Sequence, residues 1–484
     1  MRKWSALTAV SIGTFMLLVD VTIVTVALPA ISRDFGTSLG GLQWVLDGYA
    51  LALAAVLLAS GALADGHGRK KVYLAGTVVF AAASLVCAVA PNAGLLIAAR
   101  FLQGLGGAAM LATTVAILSV AYTGRDRGVA FGIWGAVNGA AAAAGPIAGG
   151  LLTEHFGWRW IFLVNLPVSL LALWFTIRGV TESHGRAPEA VRGVTESHGR
   201  ASENHKLDLA GTVTFTLSAA AVTFALIRGG DAGWAAPSTL AAFAVSAAAL
   251  VAFIVVERRT DHPMLDLHLF AKPSFSALMV AAVLAQASAF AYLPFTTVWL
   301  QQFLGKGPVD AGLVGALPMS AASFVGGALA GRFLQRVAPR WTIGIGLLLI
   351  GAGALMQARL TPASTGTALI PGLIVVGLGV AAVLPTMASA ALAAVPHERS
   401  GMAGGAVNTF RQLGFALGVA VFGSVFAHRL EGRHAPTDAV NHVVAIAGFV
   451  ALAAAVLVLL VVRTGRPAWE APKPATEPAV SETV

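Results

Sequence analysis

Four ionisable side chains interrupt stretches of the chain that are otherwise apolar: Asp20, Asp47, Arg100 and Arg411. Charges are costly in hydrocarbon and are kept there when they face a partner, a water-filled cavity or a transported species. A carboxyl in such a place is neutral when alone and ionised beside an arginine, so it can take up and release a proton. Asp20 lies close to the middle of its apolar run, and proton binding there could compete with a cationic or polar ligand. Asp47 lies in the outer third of the next run. Three roles are open to it: a pair with Arg100 at similar depth, a point of proton entry, or a place in an outer vestibule. Arg100 stands about 10 Å below the surface, at roughly 1.5 Å rise per residue; the alternative to a buried partner is snorkelling to the headgroups. Arg411 falls near the middle of its run, where it lines a cavity or pairs with Asp20 or with an acidic group of a ligand. Thr25, Asn138, Gln286, Tyr292, Asn408 and Phe410 are the candidate polar and aromatic contributors to such a cavity, with Phe290 as a further ring.

The elements that must position these groups are set by composition. The 484 residues are 57% hydrophobic and 11% charged, with mean hydropathy +0.80; a soluble domain carries roughly 25% charged residues. A helix needs about 20 residues to cross the hydrocarbon. Apolar runs of that order lie near 6–31, 42–64, 72–91, 93–121, 129–152, 160–177, 209–227, 237–256, 274–300, 311–331, 341–358, 368–392, 401–427 and 441–462. They predict an all-α polytopic membrane protein with fourteen spans. Placing both termini in the cytoplasm puts most of the 31 Lys and Arg on the inner side, as the positive-inside rule requires. The exceptions are Arg33, Arg159, Arg228, Lys306, Arg359, Arg429 and Arg433, besides Arg100 and Arg411 within spans. The net charge of +9 then belongs to inner-face loops and gives no sign of nucleic-acid binding. The first run follows Arg2 and Lys3, contains Asp20 and lacks a small-x-small cleavage site, so it reads as a retained helix. A single cysteine, Cys87, excludes disulfides and thiolate metal sites within one chain. No GxxxxGK[ST] phosphate loop occurs, and no His/Cys/carboxylate cluster suggests catalysis, which sets aside an ATP-driven pump or a membrane enzyme.

Two internal similarities point to a duplicated unit. GALAD at 61–65 is echoed by GALAG at 327–331, and GAVN at 135–138 recurs at 405–408. Both pairs fall at matching places if runs 1–6 and 9–14 form equivalent halves, an architecture with the substrate site between the halves near the midplane. The expected organisation is a six-helix bundle over 1–178, a linker over 179–207, an inserted helix pair over 208–258, a second six-helix bundle over 272–463 and a disordered tail over 464–484. The linker region holds an exact repeat, RGVTESHGRA at 178–187 and 192–201. Its His184 and His198 suggest a metal site less readily than slippage in a tolerant polar segment.

Several motifs carry a resemblance to a known family. GALADGHGRKK, Gly61 to Lys71, resembles the most diagnostic loop of the major facilitator superfamily. RFLQG at 100–104 is similar to its RxxQG element, NTFRQLG at 408–414 to its NTxRQxG stretch, and WRWIFLVNLP at 158–167 to a family fold marker and interfacial anchor. LVDVTIVTVALPAI at 18–31 resembles the first-helix signature of fourteen-helix EmrB/QacA-type exporters, with Thr25 where that family usually carries Asn. GAVNGAAAAAGPIAGG at 135–150 resembles the fifth-helix signature that separates proton-coupled exporters from importers. Its Gly135, Gly139, Gly145, Pro146, Gly149 and Gly150 make a poor helix by propensity but allow close helix packing in a membrane.

The resemblance implies the major facilitator fold: two six-helix bundles plus an inserted hairpin. It implies a proton-coupled antiporter that exports small amphipathic drugs or antibiotics by alternating access across a bacterial cytoplasmic membrane. An importer or facilitator of a small metabolite on the same fold is the alternative. Proton coupling falls to Asp20, Asp47 and Arg100, and substrate binding to Asp20, Thr25, Asn138, Gln286, Tyr292, Asn408, Phe410 and Arg411. A charge latch on the cytoplasmic side involves Gly61, Asp65, Gly68, Arg69 and Asp126, aided by Arg125 and Arg127. Gly66 departs from the usual Arg there, and Gly331 replaces Asp65 in the second half. The implied partners are a drug, protons and the bilayer, with no nucleic acid, no metal and no cofactor beyond the proton gradient; a monomer is expected. One midplane carboxylate suits monovalent cationic or neutral substrates. The divergence after GAVN suggests that the 135–150 helix became a close-packing gate, sealed at its Pro146 end, while its twin became a polar cavity wall.

Overall fold

The structure is a computed structural model that describes residues 2–183, 208–260, 263–330, 337–395, 400–431 and 435–462. Among the described residues, fourteen helices are long and apolar enough to span a membrane, one for each apolar run. They are α1 (Ser5–Phe35), α2 (Leu39–His67), α3 (Arg69–Val89), α4 (Ala93–Ala121), α5 (Gly124–His155), α6 (Trp160–Gly179), α7 (Leu209–Ala232), α8 (Pro237–Arg259), α9 (Pro273–Phe303), α10 (Pro308–Gly327), α11 (Pro339–Gln357), α12 (Gly366–Ala393), α13 (Ser400–Glu431) and α14 (Pro436–Val461). No strand occurs among the described residues.

The helix ends follow local chemistry. α8, α9, α10, α11 and α14 begin with proline in the first turn, where its missing N–H leaves no bond unmade. Ser38, Asn92 and Asp208 accept from the first-turn amides of α2, α4 and α7. α1 stops at Gly36, whose φ of 60° is the left-handed cap that glycine supplies without strain. Three spans are interrupted where proline removes a ladder bond. α6 breaks at Val164 before Pro167. α9 breaks at 291–292 before Pro294 and ends in a π-turn over Trp299–Phe303. α10 breaks at Ala316 before Pro318. α5, by contrast, runs through Pro146 as one helix.

Packing repeats with an offset of eight helices. In the first half α1 packs on α5 and α6, α4 on α2 and α3, and α3 on α6; in the second, α9 packs on α13 and α14, α12 on α10 and α11, and α11 on α14. The two six-helix bundles meet through two equivalent pairs, α2 with α13 and α5 with α10. The hairpin α7–α8 leans on the α2/α13 seam, chiefly through α7. There Trp44 and Phe224 stand with ring centroids 6.3 Å apart. The second copy of the linker repeat, His184, His198, Gly331 and the 464–484 tail lie outside the described residues.

Candidate functional site

For orientation, the face on which α1 begins is called the N-face and the opposite one the far face. Inside the first bundle, Asp20 of α1 is completely buried and fully bonded. Its Oδ2 accepts from Arg100 Nη1 at 2.5 Å; its Oδ1 accepts from Gln103 Nε2 and Asn165 Nδ2, both at 2.9 Å. Ser84 Oγ accepts from the same two amides at 2.8 and 3.3 Å, so α1, α3, α4 and α6 share one polar knot. Arg100 adds a bond from Nη1 to Gln103 Oε1 (2.7 Å) and one from Nε to the Val45 carbonyl of α2 (3.2 Å), and its guanidinium lies 4.3 Å from the Tyr49 ring centroid. Carboxylate and arginine neutralise one another where neither could stand alone.

This geometry corrects two expectations. Arg100 pairs with Asp20, not with Asp47, and does not snorkel, because its side chain is only 1% exposed. The oxygens of Asp20 point into the bundle core, where Arg100, Gln103 and Asn165 occupy them. Thr25, five residues on, lies about 140° round the helix from it, half-buried, with its hydroxyl bonded to the Thr22 carbonyl at 2.6 Å. Asn165 and Ser84 are members of the knot that the motif reading passed over. Asn165 sits in the WRWIFLVNLP stretch, and the signal was an amide placed in an apolar run.

Asp47 occupies a different environment. It is completely buried, and neither carboxyl oxygen has a hydrogen-bond partner. Gln43, Asp47, Ala54 and Leu58 follow the spacing of one helix face, and that face meets α13. The Ala54 carbonyl accepts from Thr409 Oγ1 at 3.3 Å, Leu58 lies against Gly405, and Gln43 lies against Gly423 so closely that any side chain there would collide. Asp47 therefore sits in the seam between the halves, shut off from any outer vestibule.

The far side of both seams is sealed. An apolar crevice lined by Leu28, Leu42, Gln43, Leu46, Pro294, Phe295, Val298 and Val419 retains about 10 Å³, room for one water at most. Gln301 Nε2 donates to the Val26 carbonyl at 2.8 Å, and the Val309 amide donates to Glu154 at 3.2 Å. The glycines of α5 divide between two jobs. Gly145 and Gly149 bring it onto Thr22 and Ile23 of α1 inside its own bundle, whereas Gly139 and Gly150 bring it onto Phe324 and Pro308–Val309 of α10 in the other. Gly312 of α10 rests on the Pro146 carbonyl, so the two helices pack closely at that level. Towards the N-face α5 and α10 part: a methyl group at Gly135 or Gly327 would meet no atom within 4 Å.

The remaining candidates lie in or beside the second half. Arg411 of α13 donates from Nε to Gln286 Oε1 at 3.1 Å and from Nη1 to Asn408 Oδ1 at 3.2 Å, and it pairs with neither Asp20 nor any other carboxylate among the described residues. Phe410 packs on Phe270, centroids 5.9 Å apart. Asn138 of α5 is half-buried, with Oδ1 lacking a partner. Tyr292 is a correction: it is fully buried, and its hydroxyl accepts from Gln357 Nε2 at 3.1 Å inside the second bundle. It stands at the break in α9, two residues before Pro294.

At the N-face, Gly68 bridges α2 and α3 with φ 108°, a conformation open chiefly to glycine. Gly61 has no neighbour where a side chain would point. Asp126 pairs with Lys3 at 2.9 Å, a partner not expected from the loop motif. The Arg69 amide donates to the Ser183 carbonyl, and Glu182 accepts from the amides of Lys70 (2.9 Å) and Lys71 (3.2 Å). The first copy of the linker repeat thus caps α3. The side chains of Asp65, Arg125 and Arg127 lie outside the described residues.

Comparisons with known proteins agree with this architecture. The family model of the Major Facilitator Superfamily matches residues 10–271 and 278–483. The chain is 35% identical to the multidrug resistance protein Stp of Mycobacterium tuberculosis, over 89% of this chain and 77% of that protein. It is 36% identical to the puromycin resistance protein pur8 of Streptomyces alboniger, over 88% and 82%. The tetracenomycin C resistance and export protein of Streptomyces glaucescens shares 33% identity, over 89% and 77%. Among solved structures, the human organic anion transporter MFSD10 superposes with TM-score 0.65 at 15% identity, covering 95% of this chain and all (100%) of that one. A POT family transporter superposes with TM-score 0.66 at 13% identity, covering 94% and 95%; these two establish fold alone. Motifs, paired bundles and relatives together place this chain in the Major Facilitator Superfamily, among its multidrug- and antibiotic-resistance transporters.

Proposed function

We propose that this protein is a proton-driven antiporter that exports small amphipathic drugs or antibiotics across the bacterial cytoplasmic membrane, with both termini and the N-face in the cytoplasm. Asp47 carries the reading: a carboxyl buried without partners in the seam that must part when the far face opens. As an anion in the closed seam it would bear the full cost of desolvation, whereas as a neutral acid it would not. Protonation of Asp47 thus favours a closed far face, and ionisation favours an open one in which water reaches it. A drug-loaded, deprotonated carrier opens outward; an empty, protonated carrier closes and returns, and gives up its proton on the cytoplasmic side. That order of events is antiport.

The Asp20–Arg100 knot has a supporting role in this cycle. Its charges are already satisfied, so it holds α1, α3, α4 and α6 as one body, and through the Val45 carbonyl it fixes the stretch of α2 that bears Asp47. The chain acts as a monomer without a bound cofactor, and the proton gradient is its energy source. Each proton entering down the membrane potential supplies about 2.3 kcal/mol per 100 mV, plus the pH-gradient contribution.

The direction of transport tests this reading. In inverted membrane vesicles, an acid-inside gradient should drive accumulation of an exported dye, and Asp47→Asn should abolish the gradient-driven part. Accumulation that ignores the gradient, or that runs the other way, would favour the importer or facilitator.

A further inference from the structure

The two arginines within the spans are not equivalent. Arg100 is neutralised by Asp20, whereas Arg411 forms no ion pair with any carboxylate among the described residues. A guanidinium carries five N–H donors. Two of those on Arg411 are used, by Gln286 and Asn408. Its Nη2 makes no bond among the described residues and is not among the polar atoms sealed inside the protein. The side-chain amide nitrogen of Gln286 is likewise uncommitted and unsealed.

The packing of α13 settles where these donors point. Gly405, Thr409 and Gly423 face α2; Gly414 and Gly418 lie on Val283 and Ala287 of α9; Ser424 meets Gly230 of α7. Asn408, Arg411, Phe415 and Val419 follow the spacing of one remaining stripe, between the α2 and α9 faces and opposite α7. Val419 lines the apolar plug at the far end of that stripe. Arg411 and Asn408 therefore stand on its N-face side, looking into the space between the halves.

Charge balance then selects the ligand. Asp20 is spent on Arg100 inside the first bundle, and Asp47 lies in the seam. Among the described residues the wall between the halves carries a positive charge without a counter-ion, which disfavours a cationic guest and favours an anionic one. We propose that the transported molecule bears an acidic group, a carboxylate, phenolate or enolate, received by Arg411 Nη2 and the Gln286 amide, with Asn408 holding the guanidinium in place. This rests on the exporter reading above and replaces the cationic or neutral substrate inferred from a single midplane carboxylate. A planar guanidinium suits such oxygens because it can donate two parallel bonds to them.

Fluorescein and rhodamine 6G share a xanthene ring system but are an anion and a cation near neutral pH, which makes them a matched probe pair. In inverted vesicles with an acid-inside gradient, the wild-type protein should accumulate fluorescein. Arg411→Gln should lower the ratio of fluorescein to rhodamine 6G accumulation by about tenfold or more, and Arg411→Lys should retain part of the wild-type ratio. Arg411→Glu should turn preference towards rhodamine 6G. Gradient-driven accumulation of rhodamine 6G without fluorescein, or a ratio indifferent to Arg411→Gln, would overturn the proposal and leave the exporter reading standing. If neither dye follows the gradient, the exporter reading is what fails. Fluorescence anisotropy of fluorescein on purified wild-type and Arg411→Gln protein then decides the anion site by itself: weaker binding in the variant supports it, and equal binding rejects it.

Discussion

Asp20 and Arg100 form a 2.5 Å ion pair between α1 and α4 with both side chains shut away from solvent. The pair explains how a protein can keep an aspartate near mid-membrane without using it as a ligand. Each charge makes the other tolerable, and the amides of Gln103 and Asn165 fill the remaining acceptor positions on Asp20.

Removing one partner should therefore be worse than removing both. Asp20→Asn leaves a guanidinium buried beside an amide, a loss of about 3–5 kcal/mol, and should appear as poor yield and a lowered melting temperature in detergent. Combining it with Arg100→Gln should recover much of that stability. Additive losses in the double-mutant cycle would mean that the two charges are not coupled.

Asp47→Asn is expected to behave in the opposite way. The amide imitates the neutral acid, so melting temperature should hold or rise while proton-driven transport is lost. A fall in stability comparable with that of Asp20→Asn would imply an ionised, partnered Asp47.

The far seam should close more readily as pH falls, because protonation removes the cost of burying Asp47. Cysteines at Glu154 and Val309, which the structure brings together at the ends of α5 and α10, report on this once Cys87 is replaced. Their cross-linking should be faster at acid than at alkaline pH, and the difference should vanish with Asp47→Asn. Equal rates across pH in the protein that retains Asp47 would detach that residue from the seam.

The glycines of α5 should separate sharply on substitution. Gly135→Ala adds a methyl group to open space and gains about 1 kcal/mol of helix propensity, so transport should persist. Gly149→Ala drives a methyl to 2.8 Å from the Ile23 carbonyl, and at Gly150 the Pro308 carbonyl stands equally close at 2.8 Å. Backbone cannot step aside as a side chain can. Gly149→Ala should loosen the first bundle and lower its melting temperature, whereas Gly150→Ala should hold the far seam ajar and slow the Glu154–Val309 cross-link.

Hydrogen exchange can test the cap on α3. Glu182→Ala should speed exchange at the Lys70 and Lys71 amides, for a loss of about 1 kcal/mol at that helix end, with little effect on the distant Asp20 knot. Unchanged exchange would mean that the linker does not hold the loop.

The sequence by itself determined the number of spans, because crossing hydrocarbon demands a run of apolar residues whose length can be read directly. It also determined the duplication, since GAVN and GALA recur at equivalent places, and it drew attention to the correct charged residues, because a charge in an apolar run is conspicuous. The small residues of 135–150 announced close packing, and Gly139, Gly145, Gly149 and Gly150 do bring α5 against α1 and α10. Partnership was decided only by the tertiary structure. Depth along a helix permits Arg100 to meet either Asp20 or Asp47, and the choice depends on how α1, α2 and α4 are rotated about their axes, which is fixed by packing among all six helices of the bundle. For the same reason the sequence offers Tyr292 as a cavity residue where packing buries it against Gln357, and it offers Asn165 as an anchor where α6 brings it to Asp20. Arg411 is the reverse case: only the packing of the described residues shows that Asp20 is committed to Arg100 and that Arg411 is met by the amides of Gln286 and Asn408.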